Sequence, residues 1–251
     1  MSGRFVEVVI PVLNEAHVLE RSIATLRGYL RAELPYTWRI VIVDNGSTDG
    51  TAGVARRLCE RHADVALRTL AERGRGRALR HAWMENQADA VCYMDVDLST
   101  ELRFLRPLLE AILEHGYDVA TGSRLLADSQ TQRSPFRELL SRTYNWLVRT
   151  ALRTQFSDAQ CGFKAMSRAA VLHLVPQVRD ESWFFDTELL TLAEKQGFRI
   201  ADIAVAWNED DDSRVKILRT AWDDIKGIWR VRRTLQVAQS DSALVSAGRR
   251  P

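Results

Sequence analysis

Asp95-Val96-Asp97 closes the apolar run Ala90-Val91-Cys92-Tyr93-Met94. Side chains in a strand alternate faces with period 2, so two aspartates one residue apart can point the same way. Where a buried strand meets solvent, such a pair makes a hard, oxygen-only site suited to Mg²⁺ or Mn²⁺ carried by a diphosphate. Asp-x-Asp by itself is common in surface turns. Its position at a strand end, after a regular series of strands and helices, is what singles it out.

The elements that must position these acids read clearly in the first half. Residues 5–10 form a strand ending at Pro11, and Leu19, Ile23, Leu26 and Leu30 mark one face of a helix. Residues 39–43 are a nearly continuous apolar run, as expected of a strand covered on both faces. A turn over 45–50, a helix over 52–60, a strand over 65–69 and a helix over 76–86 lead to the strand 90–94. Leu102, Leu105, Leu108, Leu109 and Ile112 give another helix, and 118–121 another strand. This alternation predicts an α/β fold with a mostly parallel sheet flanked by helices on both sides. Ligands of such sheets bind at the carboxyl ends of the strands. Asn14-Glu15, Asp44 to Ser47, Asp95-x-Asp97 and Gly122-Ser123-Arg124 all fall there.

The second half is less regular. An amphipathic, aromatic helix is expected over 136–152, helices over 169–174 and 187–196, a strand over 199–206 and a Trp-bearing helix over 219–235. From residue 236 the composition turns small and polar, so residues 1–235 are expected to be a single domain and 236–251 a disordered tail.

Composition narrows the function classes. A formal charge of +2 over 251 residues makes no case for nucleic acid. Cys59, Cys92 and Cys161 are too scattered for a disulfide framework or a zinc site, which favours a reducing, cytoplasmic setting. The histidines lack metal-ligand spacing as well. No secretory signal opens the sequence and no run of about 18 apolar residues occurs, so membrane contact is expected to be peripheral.

Ile10-Pro11-Val12-Leu13-Asn14-Glu15, Val43-Asp44-Asn45-Gly46-Ser47-Thr48-Asp49, Arg73-Gly74-Arg75-Gly76-Arg77-Ala78 and Asp95-Val96-Asp97, in this order, resemble glycosyltransferase family 2 with the GT-A fold. The resemblance spans about residues 5–232. It implies that Pro11, Leu13, Glu15 and Asp44 contact the donor nucleotide, that Gly74 and Arg75 lie near its diphosphate, and that Asp95 and Asp97 hold the metal. Within that family the sequence is most similar to polyprenyl-phosphate (dolichyl-phosphate) sugar transferases. Arg124, Arg137 and Ser141 match the segments that hold the acceptor phosphate there. Asp158-Ala159-Gln160-Cys161-Gly162-Phe163-Lys164, Trp183 to Leu190 and Asp212 to Lys216 resemble the glucosyltransferase branch. Ser99 stands where some mannosyltransferase relatives place a Gln ligand. The resemblance implies metal-dependent, inverting transfer of a hexose from a nucleotide sugar, UDP-glucose above others, to a polyprenyl phosphate at the inner, cytosolic face of a membrane.

The acceptor decides whether a base is needed. A polyprenyl phosphate is already an anion and needs cations, which Arg124 and Arg137 supply with Ser141. Arg214 is a candidate second clamp on the donor, because guanidinium matches phosphate oxygens bidentately. A sugar hydroxyl would need a general base, Asp186 first and Glu188 next. Asp186 reads equally well as a helix N-cap. The stretch 124–155 holds six Arg against Asp128 and Glu138, and its aromatic stripe fits either an anionic membrane surface or the core.

Four rivals stay open. They are a family 2 enzyme acting on a glycan hydroxyl, a mannosyltransferase using GDP-mannose, a nucleotidyltransferase and a degenerate lipid-binding regulator. The third needs a Gly-rich loop directly after the first strand, where Pro11-Val12-Leu13-Asn14 stands. Against the fourth, both metal acids and the acceptor arginines are intact.

Overall fold

The computed structural model describes residues 3–208 and 222–235. In chain order the first half comprises β1 (Phe5–Val12), α1 (Ala16–Glu33), β2 (Thr37–Asn45), α2 (Thr51–Arg61), β3 (Val65–Leu70), α3 (Arg75–Met84), β4 (Ala90–Met94), α4 (Leu105–Leu113) and β5 (Val119–Ser123). The second half comprises β6 (Gln130–Gln132), α5 (Pro135–Leu152), β7 (Phe163–Ser167), α6 (Arg168–Leu174), α7 (Phe185–Lys195), β8 (Ile200–Ala204) and β9 (Ala206–Asn208). Residues 222–235 are helical.

Seven strands form one sheet in the order β3-β2-β1-β4-β7-β5-β8. Strand β7 runs antiparallel to both β4 and β5, and the other pairings are parallel. Period-2 alternation divides the strand residues between two apolar layers. Val8, Ile10, Ile40, Ile42, Cys92 and Met94 pack on one side with Leu19, Ile23, Leu26 and Leu30 of α1 and with α4. Val9, Val41, Val43, Val91 and Tyr93 pack on the other with α3, α6, α7 and Ile228 and Val231 of the last helix. Both faces are covered, which is why these strands read as unbroken apolar runs.

Helix α5 begins where the sequence is built for it. Ser134 accepts the Arg137 N–H at the N-cap and Pro135 takes the first turn, where its missing N–H costs nothing.

Two differences from the sequence expectation shape the site. The strand expected over 199–206 is split: β8 stays in the main sheet, while β9 pairs with β6 in a two-stranded sheet. Strand β7 escaped a reading by hydrophobic pattern because Lys164 interrupts it. That lysine is fully buried and donates to the Ala159 and Cys161 carbonyls at 3.2 and 2.6 Å. The tail expected from 236 lies outside the described residues.

Trp83 is fully buried, with its ring centroid 5.7 Å from Tyr93 and 6.1 Å from Phe185. Trp83→Ala is expected to cost about 3–5 kcal/mol in urea unfolding. Trp146→Ala, at a position 60% exposed, should stay within about 0.5 kcal/mol of wild type.

Candidate active site

The carboxyl ends of β1, β2, β4 and β5 open into one cleft of about 710 Å³. Of the residues singled out in the sequence, it is lined by Pro11, Leu13, Glu15, Gly74, Arg75, Asp95, Asp97, Arg124, Arg137 and Ser141. Asp44 and Asp186 are not on its wall, and Arg214 lies outside the described residues.

The loops after β1 and β2 are laced together. Asn14, in the left-handed region at φ 59°, receives the Thr48 N–H on Oδ1 at 2.8 Å and donates its own N–H to Ser47 Oγ at 2.9 Å. Glu15 N–H reaches Thr51 Oγ1 at 2.8 Å. Asp44, nearly buried, accepts the Ser47 N–H at 3.1 Å. Asp44 thereby shapes the second loop through one carboxylate oxygen.

At the end of β4, Asp95 Oδ1 lies 2.7 Å from Arg75 Nη2. That guanidinium is held between two rings, 5.3 Å from the Tyr93 centroid and 5.0 Å from that of Trp183. Gly162 comes so close that a Cβ there would collide with the Asp95 carboxylate and approach Arg75 Nη2 to 2.9 Å. Leu98, at φ 56°, carries the backbone strain of the turn, and Asp97 Oδ1 accepts the Ser99 N–H at 2.9 Å. The Ser99 carbonyl in turn accepts the Asn208 N–H at 2.9 Å, so the small β6–β9 sheet anchors the acidic loop.

Burial pushes the Asp95 carboxyl above its ordinary range; Arg75 opposes this, and Asp97 and Asp186 push it higher still. A hard divalent cation suits this crowding of like charge on oxygen ligands. No group of three or more His, Cys, Asp or Glu among the described residues would enclose an ion. The pair thus fits a cation that keeps most of its shell from water and a diphosphate, the habit of Mg²⁺.

The opposite wall is basic. Arg124 spends two of its N–H groups on fully buried Asp158, Nε to Oδ2 at 2.7 Å and Nη2 to Oδ1 at 3.0 Å. The rest of its fork remains for the cleft. Ser141 Oγ is buried and has no hydrogen-bond partner among the described residues. Arg133, 4% exposed and ion-paired with Glu138, joins the same wall.

A sequence profile of glycosyl transferase family 2 matches residues 7–174. The chain belongs to glycosyl transferase family 2. Its relatives include the glycosyltransferase AglD of Haloferax volcanii, 38% identical over 87% of this chain. The match spans 35% of that relative, about a third of its length. The dolichyl-phosphate beta-glucosyltransferase of Saccharomyces cerevisiae is 29% identical over 88% of this chain and 71% of the yeast protein. Among solved structures, glucosyl-3-phosphoglycerate synthase from Mycobacterium tuberculosis in complex with Mn²⁺, UDP and phosphoglyceric acid superposes with a TM-score of 0.71. It is 18% identical, over 92% of this chain and 79% of that one. The sheet is that of GT-A glycosyltransferases, and the protein is an enzyme of that class.

In this glycosyltransferase Asp186 is not the helix cap that the sequence allowed. Helix α7 starts two residues earlier than expected, at Phe185, and no side chain among the described residues caps it. The Asp186 carboxylate instead accepts the Tyr93 hydroxyl behind the cleft wall, and its Oδ1 is buried without a hydrogen-bond partner among the described residues. Burial, then Asp186, keep the Tyr93 phenol protonated as that donor. Cys161 is a fully buried thiol pushed up to about 12, chiefly by burial, and is no nucleophile.

Sequence reasoning assigned no role to Arg133, Gln160, Trp207 or Asp224, all on the cleft wall. Arg133 lay in the basic stretch already noted and Gln160 in the glucosyltransferase-like motif. Asp224 carried no local signal.

Burial alone would raise the Asp158 carboxyl, yet the Arg124 guanidinium holds it down to about 2. A depressed folded value means this contribution is complete above the ordinary 3.8 and is lost as pH falls through that window toward about 2. Asp158→Asn, which leaves the buried guanidinium uncompensated, should cost about 3–5 kcal/mol in urea unfolding at pH 7. The gap between variant and wild type should narrow between those two pH values.

Proposed function

We propose that this glycosyltransferase moves a hexose from a nucleotide sugar, with UDP-glucose as first choice, to a polyprenyl phosphate, inverting the anomeric carbon. The observation that carries the reading is the meeting, in one cleft, of the Asp95–Asp97 carboxylates and the wall of Arg124, Arg133 and Arg137. Acids facing a basic wall suit a cation-bound diphosphate on one side and a bare phosphate on the other. The relatives named dolichyl-phosphate beta-glucosyltransferase support both glucose and the lipid phosphate. The Mn²⁺ and Mg²⁺ complexes with UDP of the structural neighbour support the donor and the metal.

Pro11, Leu13 and Glu15 hold the nucleotide against the loop that Asp44 shapes. Gly74 lets the chain pass the diphosphate closely, and Arg75 offers it positive charge. Asp95 and Asp97 would hold Mg²⁺ or Mn²⁺, which supplies Lewis-acid charge to the departing diphosphate. Arg214 is the proposed second clamp. Arg124, Arg137 and Ser141 orient the acceptor phosphate, whose oxygen attacks without giving up a proton.

A hydroxyl acceptor would ask for a base on the wall, and Asp186 sits behind Tyr93. The phosphate acceptor fits this geometry better. A GDP-mannose donor is the alternative that a donor panel decides.

Residues 1–235 act as one domain in this reading, working at the cytoplasmic, inner face of a membrane. No helix of the described residues is long and apolar enough to cross a bilayer. Phe136, Leu139 and Trp146 of α5 and Trp222 and Trp229 of the last helix are each at least 60% exposed. Such exposed aromatics, with the arginines of α5, suit contact with anionic lipid.

The test is transfer of label from a panel of radiolabelled nucleotide sugars to a short polyprenyl phosphate, read in an organic extract. Asp97→Ala is expected to abolish it. Arg137→Ala should raise KM for the lipid phosphate about tenfold or more, with donor KM within about twofold. An equal rise in donor KM would contradict the acceptor assignment. Gly162→Ala, by displacing Asp95, should weaken Mn²⁺ binding with UDP by about 10–100-fold in calorimetry.

A further inference from the structure

We infer that Asp224 and Gln160 form the hexose-recognition pair of the cleft, binding hydroxyls of the sugar being transferred. The inference rests on the transferase reading above and assigns the part of the donor that no residue there was given.

Asp224 lies on the helix 222–235, is 3% exposed, and still lines the cleft. Its Oδ2 accepts a hydrogen bond from Gln160 Nε2 at 3.3 Å. No Lys, Arg or His pairs with it among the described residues. A carboxylate this deep without a cation is costly to keep ionised. Burial, then Asp180 and Asp223, push it up to about 7. Three buried or half-buried carboxylates nearby do have cations: Asp158 has Arg124, and Glu188 and Asp180 share Arg230. Among the described residues Asp224 has only an amide and the open cleft.

Its position is fixed rather than incidental. Arg230 Nη2 reaches Glu188 Oε2 at 2.8 Å and Asp180 Oδ2 at 3.4 Å, tying the last helix to α7. Gly227 brings that helix against the Phe184 ring, and Ile228 and Val231 enter the core. Gln160 is pinned from its other end, its N–H donating to Asp158 Oδ1 at 3.1 Å. It stands two residues before Gly162, the residue packed on Asp95. Through Gly162 the pair adjoins Asp95, and through Asp158 it adjoins Arg124, so it lies between the acidic and the basic parts of the cleft.

The chemistry matches a neutral polyol rather than a second phosphate. Hydroxyls donate to a carboxylate and exchange hydrogen bonds with an amide, and their directions differ between epimers. Trp183, Trp207 and Tyr144 also line the cleft and offer aromatic surface for the C–H side of a pyranose. A site built to bond a particular hydroxyl discriminates strongly against a donor that lacks it there.

The test compares UDP with UDP-glucose, each with Mn²⁺, by calorimetry on the full chain, wild type against Asp224→Asn and Gln160→Ala. Both variants should bind UDP within about twofold of wild type and lose about tenfold or more in UDP-glucose affinity. Asp224→Asn should also lower the preference for UDP-glucose over UDP-galactose in the transfer assay by a similar factor. Variants that keep wild-type UDP-glucose affinity and epimer preference would overturn the inference and leave the transferase reading standing. A parallel loss of UDP affinity would overturn it too, by placing the pair at the nucleotide or in folding. If wild type binds UDP but no nucleotide sugar more tightly than UDP, the inference fails. If wild type binds neither, the transferase reading fails with it.

Discussion

The structure is organised around one carboxylate that is uncomfortable where it sits. Asp95 ends a fully buried strand, and Asp97 and Asp186 add charge of its own sign. Arg75 is the compensation within the chain, and the neighbouring elements exist in the form they do to keep that contact. Tyr93 and Trp183 clamp the guanidinium, and Gly162 has no side chain because the Asp95 carboxylate fills that space. Lys164 holds the carbonyls of the turn that presents Gly162. A site under this much like-charge pressure is poised to accept positive charge brought by a ligand.

The same logic separates the two halves of the cleft. On the β5 side, Asp158 takes part of the Arg124 fork and orients it, leaving the remaining donors and Arg137 toward the opening. Acidic side chains therefore gather at one end of the cleft and arginines at the other. A donor that arrives with a cation and an acceptor that arrives as an anion are each met by their complement. The buried Asp158–Arg124 pair is oriented by excellent hydrogen-bond geometry, which is what such a pair needs to offset its desolvation.

Much of this was legible in the sequence because it is written locally. Period-2 and 3.6-residue patterns gave β1, β2, β4, α1 and α5 to within a few residues, and the strand-end motifs together with the family resemblance pointed to ten of the cleft residues. What escaped depends on contacts between distant segments. Strand β7 hid behind Lys164, whose burial makes sense only once Ala159 and Cys161 turn their carbonyls toward it. Asp186 looked like a cap because an apolar helix follows it; the Tyr93 hydroxyl, far off in sequence, claims its carboxylate instead. Asp224 is one acid among many until the last helix is seen to lie over α7 and carry it to the cleft.

The central claim is that Asp95 and Asp97 grip a divalent cation at the donor diphosphate. Its most direct measurement is anomalous diffraction at the manganese edge from crystals grown with Mn²⁺ and UDP. The account predicts a single strong peak in the cleft, touching Asp97 and Asp95 carboxylate oxygens and the diphosphate, with Arg75 still stacked beside it. UDP bound in the cleft with no manganese at either carboxylate, or manganese bound elsewhere with UDP, would contradict it.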